Sequence, residues 1–378
     1  TTAASSVVDA STATGNLTLW FDSATTSYAG GTGTDIITLL TAGDLSQAGT
    51  SATDAGGTDD VLNATLSASQ DLGIIEVAGF ETLSLTLSGS NVMDTRNVTD
   101  LTTLSIAGSN AVGDDLTINN IGDSTVIGID LNTNIGDIVT TVANSSNTTE
   151  SFSMTNGSGV RTVNSITLDA GSTAVEFATT AAADDLVVTT LSGGSLATLN
   201  VSGAGDFTVT NALAATVTTV NASTLTGALT IVTGTGADTI TGGAGADVIT
   251  GGAGQDTLTG GAGGDIFHVA SGASGITLAT ADIITDFTTA VDDLDVGTAG
   301  TYTEFLGTTQ TEATFLVAAA AAFDATGTDA YVSVNAADSG NAWVLIDMDA
   351  DGSVSANDTF IVLNGINDVA EIITGDII

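Results

Sequence analysis

A nine-residue repeat constrains this chain more than any other feature. The segments TGTGADTIT (233–241), GGAGADVIT (242–250), GGAGQDTLT (251–259) and GGAGGDIFH (260–268) follow one another without interruption. Three of the four fit G-G-x-G-x-D-x-U-x throughout, where U is a large apolar residue, and the first departs only at Thr233. The six-residue half of each repeat needs glycine because its turn visits positive φ and packs backbone carbonyls closely. The three-residue half reads as a short strand whose bulky residue, Ile240, Ile249, Leu258 or Phe267, points into a core. One such coil cannot bury that side chain alone, so stacking must supply the core. A flexible glycine-rich linker is the alternative, and four tandem copies in one register argue against it.

Each repeat places an acid at the same position: Asp238, Asp247, Asp256 and Asp265. The rest of the chain offers these acids almost no partners. With 44 Asp and Glu against two cations, Arg96 and Arg161, the formal net charge is -42 over 378 residues. Internal ion pairs cannot neutralise such a body, so a folded form requires dispersed charge or bound cations. Asp is a hard oxygen ligand, and glycine carbonyls are hard oxygens too. A turn that presents both suits a hard divalent cation with roughly six or more oxygen ligands. Disorder is the usual fate of a very acidic chain. Here, however, 42% of residues are hydrophobic and mean hydropathy is +0.38, which predicts a folded protein.

Cysteine is absent, which excludes disulfides, thiolate metal sites and thiol nucleophiles; proline is absent too, so strand ladders run without interruption. The longest apolar run, FLVAAAAAF (315–323), is too short to cross a bilayer, and the chain is expected not to insert in a membrane. It begins TTAASS, without an initiator Met or a charged-then-apolar leader. That start fits either a trimmed N-terminus or an export route that uses no N-terminal signal.

Three regions are expected. Residues 1–230 are rich in Thr, Ser, Asn, Gly and Val and carry short alternating segments, among them ETLSLTLSG (81–89), LTTLSIAGS (101–109), LATLNVSGA (196–204) and ATVTTVNAS (215–223). Period-two alternation broken by Gly, Asn or Asp predicts half-buried strands, and their loose similarity favours a parallel β-solenoid over long hairpins. Residues 231–268 are the repeat array. Residues 269–378 read as a small, mostly-β cap with strands in DIITDF (282–287), AYVSVN (330–335), AWVLID (342–347) and TFIVLNGI (359–366), and a short helix in EATFLVAAAAAFD (312–324). The fold class is therefore all-β. No Pro-rich or charged linker separates the regions, so a continuous rod with a terminal cap is expected.

Two further acidic stretches are candidate metal sites. GGTGTDIIT (30–38) is a lone, complete copy of the repeat with Asp35 in the ligand place, followed by a degenerate GGTDDVLNA (56–64). Asp35 is either a ligand or part of an ordinary glycine turn, since neighbouring turns must supply the remaining oxygens. In DMDADGSVSAND (347–358), Asp347, Asp349, Asp351, Ser353 and Asp358 occupy positions one, three, five, seven and twelve of a twelve-residue calcium loop, with Gly352 at six. Its flanks read as strands rather than helices, and an acidic hairpin turn without an ion is the alternative.

Enzyme and nucleic-acid functions fit poorly. The single histidine, His268, sits at the outward ninth place of its repeat, and no HExxH pattern exists. Two Trp, three Tyr and two Arg leave few groups to hold a sugar or a phosphate, and a charge of -42 repels a nucleic-acid backbone.

The array resembles the calcium-binding parallel β-roll of the RTX family. The resemblance implies Ca2+ as the cofactor, with Asp238 sharing an ion with the turn of Asp256 and Asp247 with that of Asp265. Carbonyls around Gly243, Gly245, Gly252 and Gly254 would complete the shells. The tail, with DIFHVASG, DIITDF, DDLDV and a terminal GDII, is similar to RTX C-termini that carry an uncleaved type I secretion signal. Upstream, 56–87, and above all GFETLSLTL with Glu81 before its strand, looks like the solenoid of RTX-type bacterial surface-layer proteins. The resemblance thus implies a secreted structural subunit that self-assembles into a surface layer or filament. Calcium ions and further copies of the chain would be its partners. A calcium-dependent adhesin with a cell-surface glycan partner, or the secretion tail of a larger enzyme or toxin, are the alternatives.

Overall fold

The computed structural model describes residues 6–21, 25–39, 51–66, 70–107, 115–121, 128–131, 135–142, 149–154, 160–168, 170–270, 273–297, 303–309, 311–323, 329–335, 341–366 and 377–378. The chain forms two compact units, Thr1–Leu196 and Ala197–Ile378.

Both units are parallel β-solenoids. In the first, alternate strands stack into two sheets. One runs through Thr18–Phe21, Ile36–Leu39, Val61–Leu66, Thr82–Leu87 and Thr103–Ala107, each parallel to the next. The other runs through Thr25–Ala29, Ser51–Thr53, Gln70–Ala78 and Asn91–Val98. Alternation in the sequence explains the burial. Along Val61–Leu66 and Thr82–Leu87 every second residue is buried, and Leu62, Leu83 and Leu104 stack in register. Each strand thus contributes one apolar face to a core between the sheets.

In the second unit the coils shorten over the array. Strands Thr239–Thr241 and Thr257–Thr259 pair on one side, and Val248–Thr250 and Ile266–His268 on the other. Each of these four three-residue strands buries only its middle side chain. Ile240 therefore stacks on Leu258 and Ile249 on Phe267, all at most 2% exposed. The ladder continues past the repeats, through Asp282–Ile284 on one side and Asp293–Asp295 on the other.

The cap combines both strand directions. Asn341–Ile346 is antiparallel to Asp329–Asn335 and to Thr359–Asn364, and the last of these joins the solenoid by pairing parallel to Asp282–Ile284. The helix spans Glu312–Ala322, with Thr311 as its N-cap. Its Phe315 packs on Trp343 and Phe360, with ring centroids 5.4 and 5.0 Å away. These aromatics anchor the cap core, which also contains Phe323, Leu345 and Ala281.

Candidate metal centres

Glycine sets how closely the array's turns can stack. A Cβ on Gly243, Gly245, Gly252 or Gly254 would fall on the carbonyl oxygen of Leu225, Gly227, Gly234 or Gly236, each in the coil before. Gly252 and Gly254 also have φ of +83° and +143°, which L side chains rarely adopt. Each of these glycines thus lets its turn close on a carbonyl of the preceding coil where a side chain would collide.

The repeat aspartates form two ladders beside those carbonyls. Backbone N–H groups of Asp238 and Asp247 donate to Oδ1 of Asp256 and Asp265, each 18 residues on, at 2.9 Å. Asp256 N–H donates in turn to Asp282 Oδ1 at 2.9 Å, and Asp265 N–H to Asp292 Oδ1 at 3.0 Å. One ladder is thus Asp238, Asp256, Asp282, and the other is Asp247, Asp265, Asp292. The structure brings together each pair expected to share an ion. All six side chains are buried.

Buried carboxylates need a compensating charge, and here the protein supplies little. Neither oxygen of Asp238 and only one of Asp256 receives a hydrogen bond, while the neighbouring Thr233 hydroxyl gives its proton to the Gly251 carbonyl. Beside Gly242, Asp247 Oδ2 and the Gly260 carbonyl approach the same point. Desolvation pushes Asp256 and Asp265 up to about 6 and Asp282 up to about 7, and raises Asp238 and Asp247 as well. Orphaned carboxylate oxygens, converging carbonyls and no nitrogen or sulfur donors fit a hard cation of calcium's class.

Comparison with known families agrees with that donor set. Residues 232–267 match the RTX calcium-binding nonapeptide repeat, in four copies. These coils bind Ca2+. No curated protein matches the chain. RTX repeats are characteristic of secreted proteins, and no helix among the described residues is long and apolar enough to cross a membrane.

The RTX repeats account for 36 residues, yet the ladders extend beyond them. Asp282 and Asp292 lie outside the nine-residue pattern because the coils there lengthen from 18 residues to 26 and 27, and motif spacing does not find them. Their one signal in the sequence is an acid at the first residue of a strand, as in DIITDF, or immediately before one, as at Asp292. Asp282→Ala is expected to leave the buried Asp256 N–H unpaired and to cost about 1–3 kcal/mol in urea unfolding. Asp282→Asn, which keeps an acceptor, is expected to spare that bond and to lose only the calcium-dependent part of stability.

Proton and calcium compete for the same oxygens. A carboxylate whose pKa is raised by folding stabilises the fold below its unfolded pKa, about 4, and that contribution is lost as pH rises through the folded value. For Asp256, Asp265 and Asp282 the folded values are about 6 to 7. Calcium-free protein is therefore expected to lose stability between about pH 4 and pH 7. Calcium reverses the trend, because it binds the ionised form. Below about pH 6 its affinity is expected to fall roughly tenfold per pH unit for each proton displaced. Melting curves of decalcified and calcium-loaded protein across this range check it; parallel curves would contradict the assignment.

The first unit repeats the ladder. Leu17 N–H donates to Asp35 Oδ1 at 2.9 Å, Asp35 N–H to Asp60 Oδ1 at 2.6 Å, and Asp60 N–H to Glu81 Oε2 at 2.8 Å. The parallel register pairs Ile36 with Val61 and Val61 with Thr82, so Asp60 and Glu81 occupy the place of Asp35. Read as GGTDDVLNA, the second copy is one residue out of frame, and the pairing restores it.

The loop 347–358 is a hairpin between antiparallel strands, as its flanks predicted. Carboxylate oxygens of Asp347, Asp349 and Asp351 lie within 4.8 Å of one another. Asp347 is fully buried, accepts bonds from Asp351 and Gly352 N–H groups, and is pushed up to about 6 by burial. Asp358 closes the loop by accepting from Met348 and Ser355 N–H, and Ser353 Oγ donates to Asp351 at 2.6 Å. His268 is half-buried on the outer side of its strand, with Nδ1 3.1 Å from Asp295 Oδ2.

Proposed function

We propose that the protein is a secreted structural subunit, ordered by calcium, that self-assembles into a bacterial surface layer or an extracellular filament. The observation that carries this reading is the pair of buried acid ladders in a chain of net charge -42. In this reading Asp238 and Asp256 hold one ion between their turns and Asp247 and Asp265 another, with the Gly243, Gly245, Gly252 and Gly254 carbonyls completing the shells. The 347–358 loop takes a further cation on Asp347, Asp349 and Asp351.

Linkage supplies the mechanism. Calcium binds folded turns and not the dispersed chain, so its concentration sets the folding equilibrium. Where free calcium is low, the carboxylates repel and the chain stays open, a state suited to export by type I secretion. At millimolar calcium the ladders are neutralised, the coils close, and subunits of like charge can approach.

Electron microscopy with light scattering of decalcified protein, then with calcium restored, tests the assembly. Ordered sheets or fibres that form only with calcium support it. A protein that folds with calcium yet stays monomeric at every concentration sinks self-assembly and leaves a calcium-dependent adhesin or carrier segment.

A further inference from the structure

In a chain of net charge -42 a broad surface without charge is an exception, and the first unit carries one. Period-two alternation turns every second residue of Thr18–Phe21, Ile36–Leu39, Val61–Leu66, Thr82–Leu87 and Thr103–Ala107 away from the core. The parallel register lines these outward residues up in columns from coil to coil. One column begins Trp20, Thr38, Asn63, and the column beside it Thr18, Ile36, Val61. Over all five strands the outward positions hold hydroxyl, amide or apolar side chains, with neither acid nor base.

Charge bounds this patch. Next to Ser105 the following strand, Gly128–Leu131, sets Asp130 in the same column. The other sheet of the same unit presents exposed Asp71, Glu76 and Arg96 on its strands Gln70–Ala78 and Asn91–Val98.

The neutral patch is also apolar at one end. Trp20 is 62% exposed and Ile36 39%, and the register makes them diagonal neighbours on one face, within reach of an aromatic ring. Large apolar side chains left to water side by side mark a surface that a partner covers, and tryptophan is a frequent anchor of such contacts.

Charge also selects the partner. Two copies of a strongly acidic chain repel wherever carboxylates face carboxylates, and least where neither copy carries any. We propose that this neutral face is where a second copy of the chain docks, the same face of each copy packing on the other with Trp20 and Ile36 as the apolar anchor. The inference rests on the assembly reading and names a contact for it. Five strands about 4.8 Å apart cover roughly 400 Å² per copy, about half the area of a standard stable interface. One such contact is therefore weak, and it acts through repetition in an assembly.

Light scattering of the full chain in millimolar calcium tests the face. Trp20→Asp and Ser84→Asp each place a charge on it, and Ile74→Asp is the control, Ile74 being 48% exposed on the strand that carries Asp71 and Glu76. Each face variant is expected to raise the concentration needed for assembly about tenfold, and the control to leave it within about twofold. Acrylamide, a neutral quencher, is expected to reach Trp20 in the monomer and to lose access on assembly, whereas Trp343, 3% exposed, is shielded throughout. Face variants that assemble like the wild type overturn this face and leave the assembly reading intact, and a control as defective as they are overturns it too. A wild type that stays monomeric in calcium removes both. Shielding of Trp20 by dextran in protein that stays monomeric assigns the face to a neutral glycan and overturns the proposal. If circular dichroism shows Trp20→Asp unfolded, Ser84→Asp decides, and Trp20 still open to acrylamide in assembled wild type overturns the face without any variant.

Discussion

Removing calcium is expected to unfold the coils of 233–297 at neutral pH. With ions at about a thousandfold excess over their dissociation constant, each site contributes roughly 4 kcal/mol to the folded state. Two such sites contribute as much as the whole net stability of many domains, about 5–15 kcal/mol. Withdrawal also leaves Asp238, Asp247, Asp256 and Asp265 ionised and buried among one another, with no protein cation to replace the metal. Short strands cannot offset this, since each of the four buries a single apolar side chain. Urea midpoints with calcium and with a chelator measure the effect, and coincident curves would contradict it.

Gly254→Val is expected to have a comparable effect even with calcium present. At φ of +143° the new side chain is strained from the outset, and its Cβ falls on the Gly236 carbonyl. Neither clash has a cheap escape, because the obstructing atom is backbone. Opening the stack moves that carbonyl and the Asp238 and Asp256 ladder beside it. A cost of about 3–5 kcal/mol follows, at the upper end for a single substitution, together with loss of at least one calcium in calorimetry. Gly15→Ala is the control, with nothing near its Cβ, and is expected to be close to neutral. Equal effects at the two positions would show that carbonyl stacking does not hold the array.

What the sequence disclosed follows from how local each signal is. A nonapeptide states its turn, its strand and its acid within nine residues, so spacing alone places Asp238, Asp247, Asp256 and Asp265. Alternating segments such as ETLSLTLSG likewise announce their strands, and the cap strands and the helix fall close to their expected positions. Register between coils of unequal length is different, since it depends on pairing across 21 to 27 residues. Asp60, Glu81, Asp282 and Asp292 become visible as ladder members only through the strands that follow them. Orphaned oxygens on Asp238 and Asp256 are a matter of side-chain surroundings, which no spacing rule encodes.

Calcium-dependent ordering of the array is the central claim, and hydrogen exchange of the full chain tests it most directly. Amides of Asp238, Asp247, Asp256 and Asp265 each donate to a carboxylate one coil away. In millimolar calcium these amides are expected to be among the slowest in the second unit, and after decalcification at neutral pH to exchange like an open chain. Equal protection in both conditions would show that the coils fold without the ion and would contradict the account.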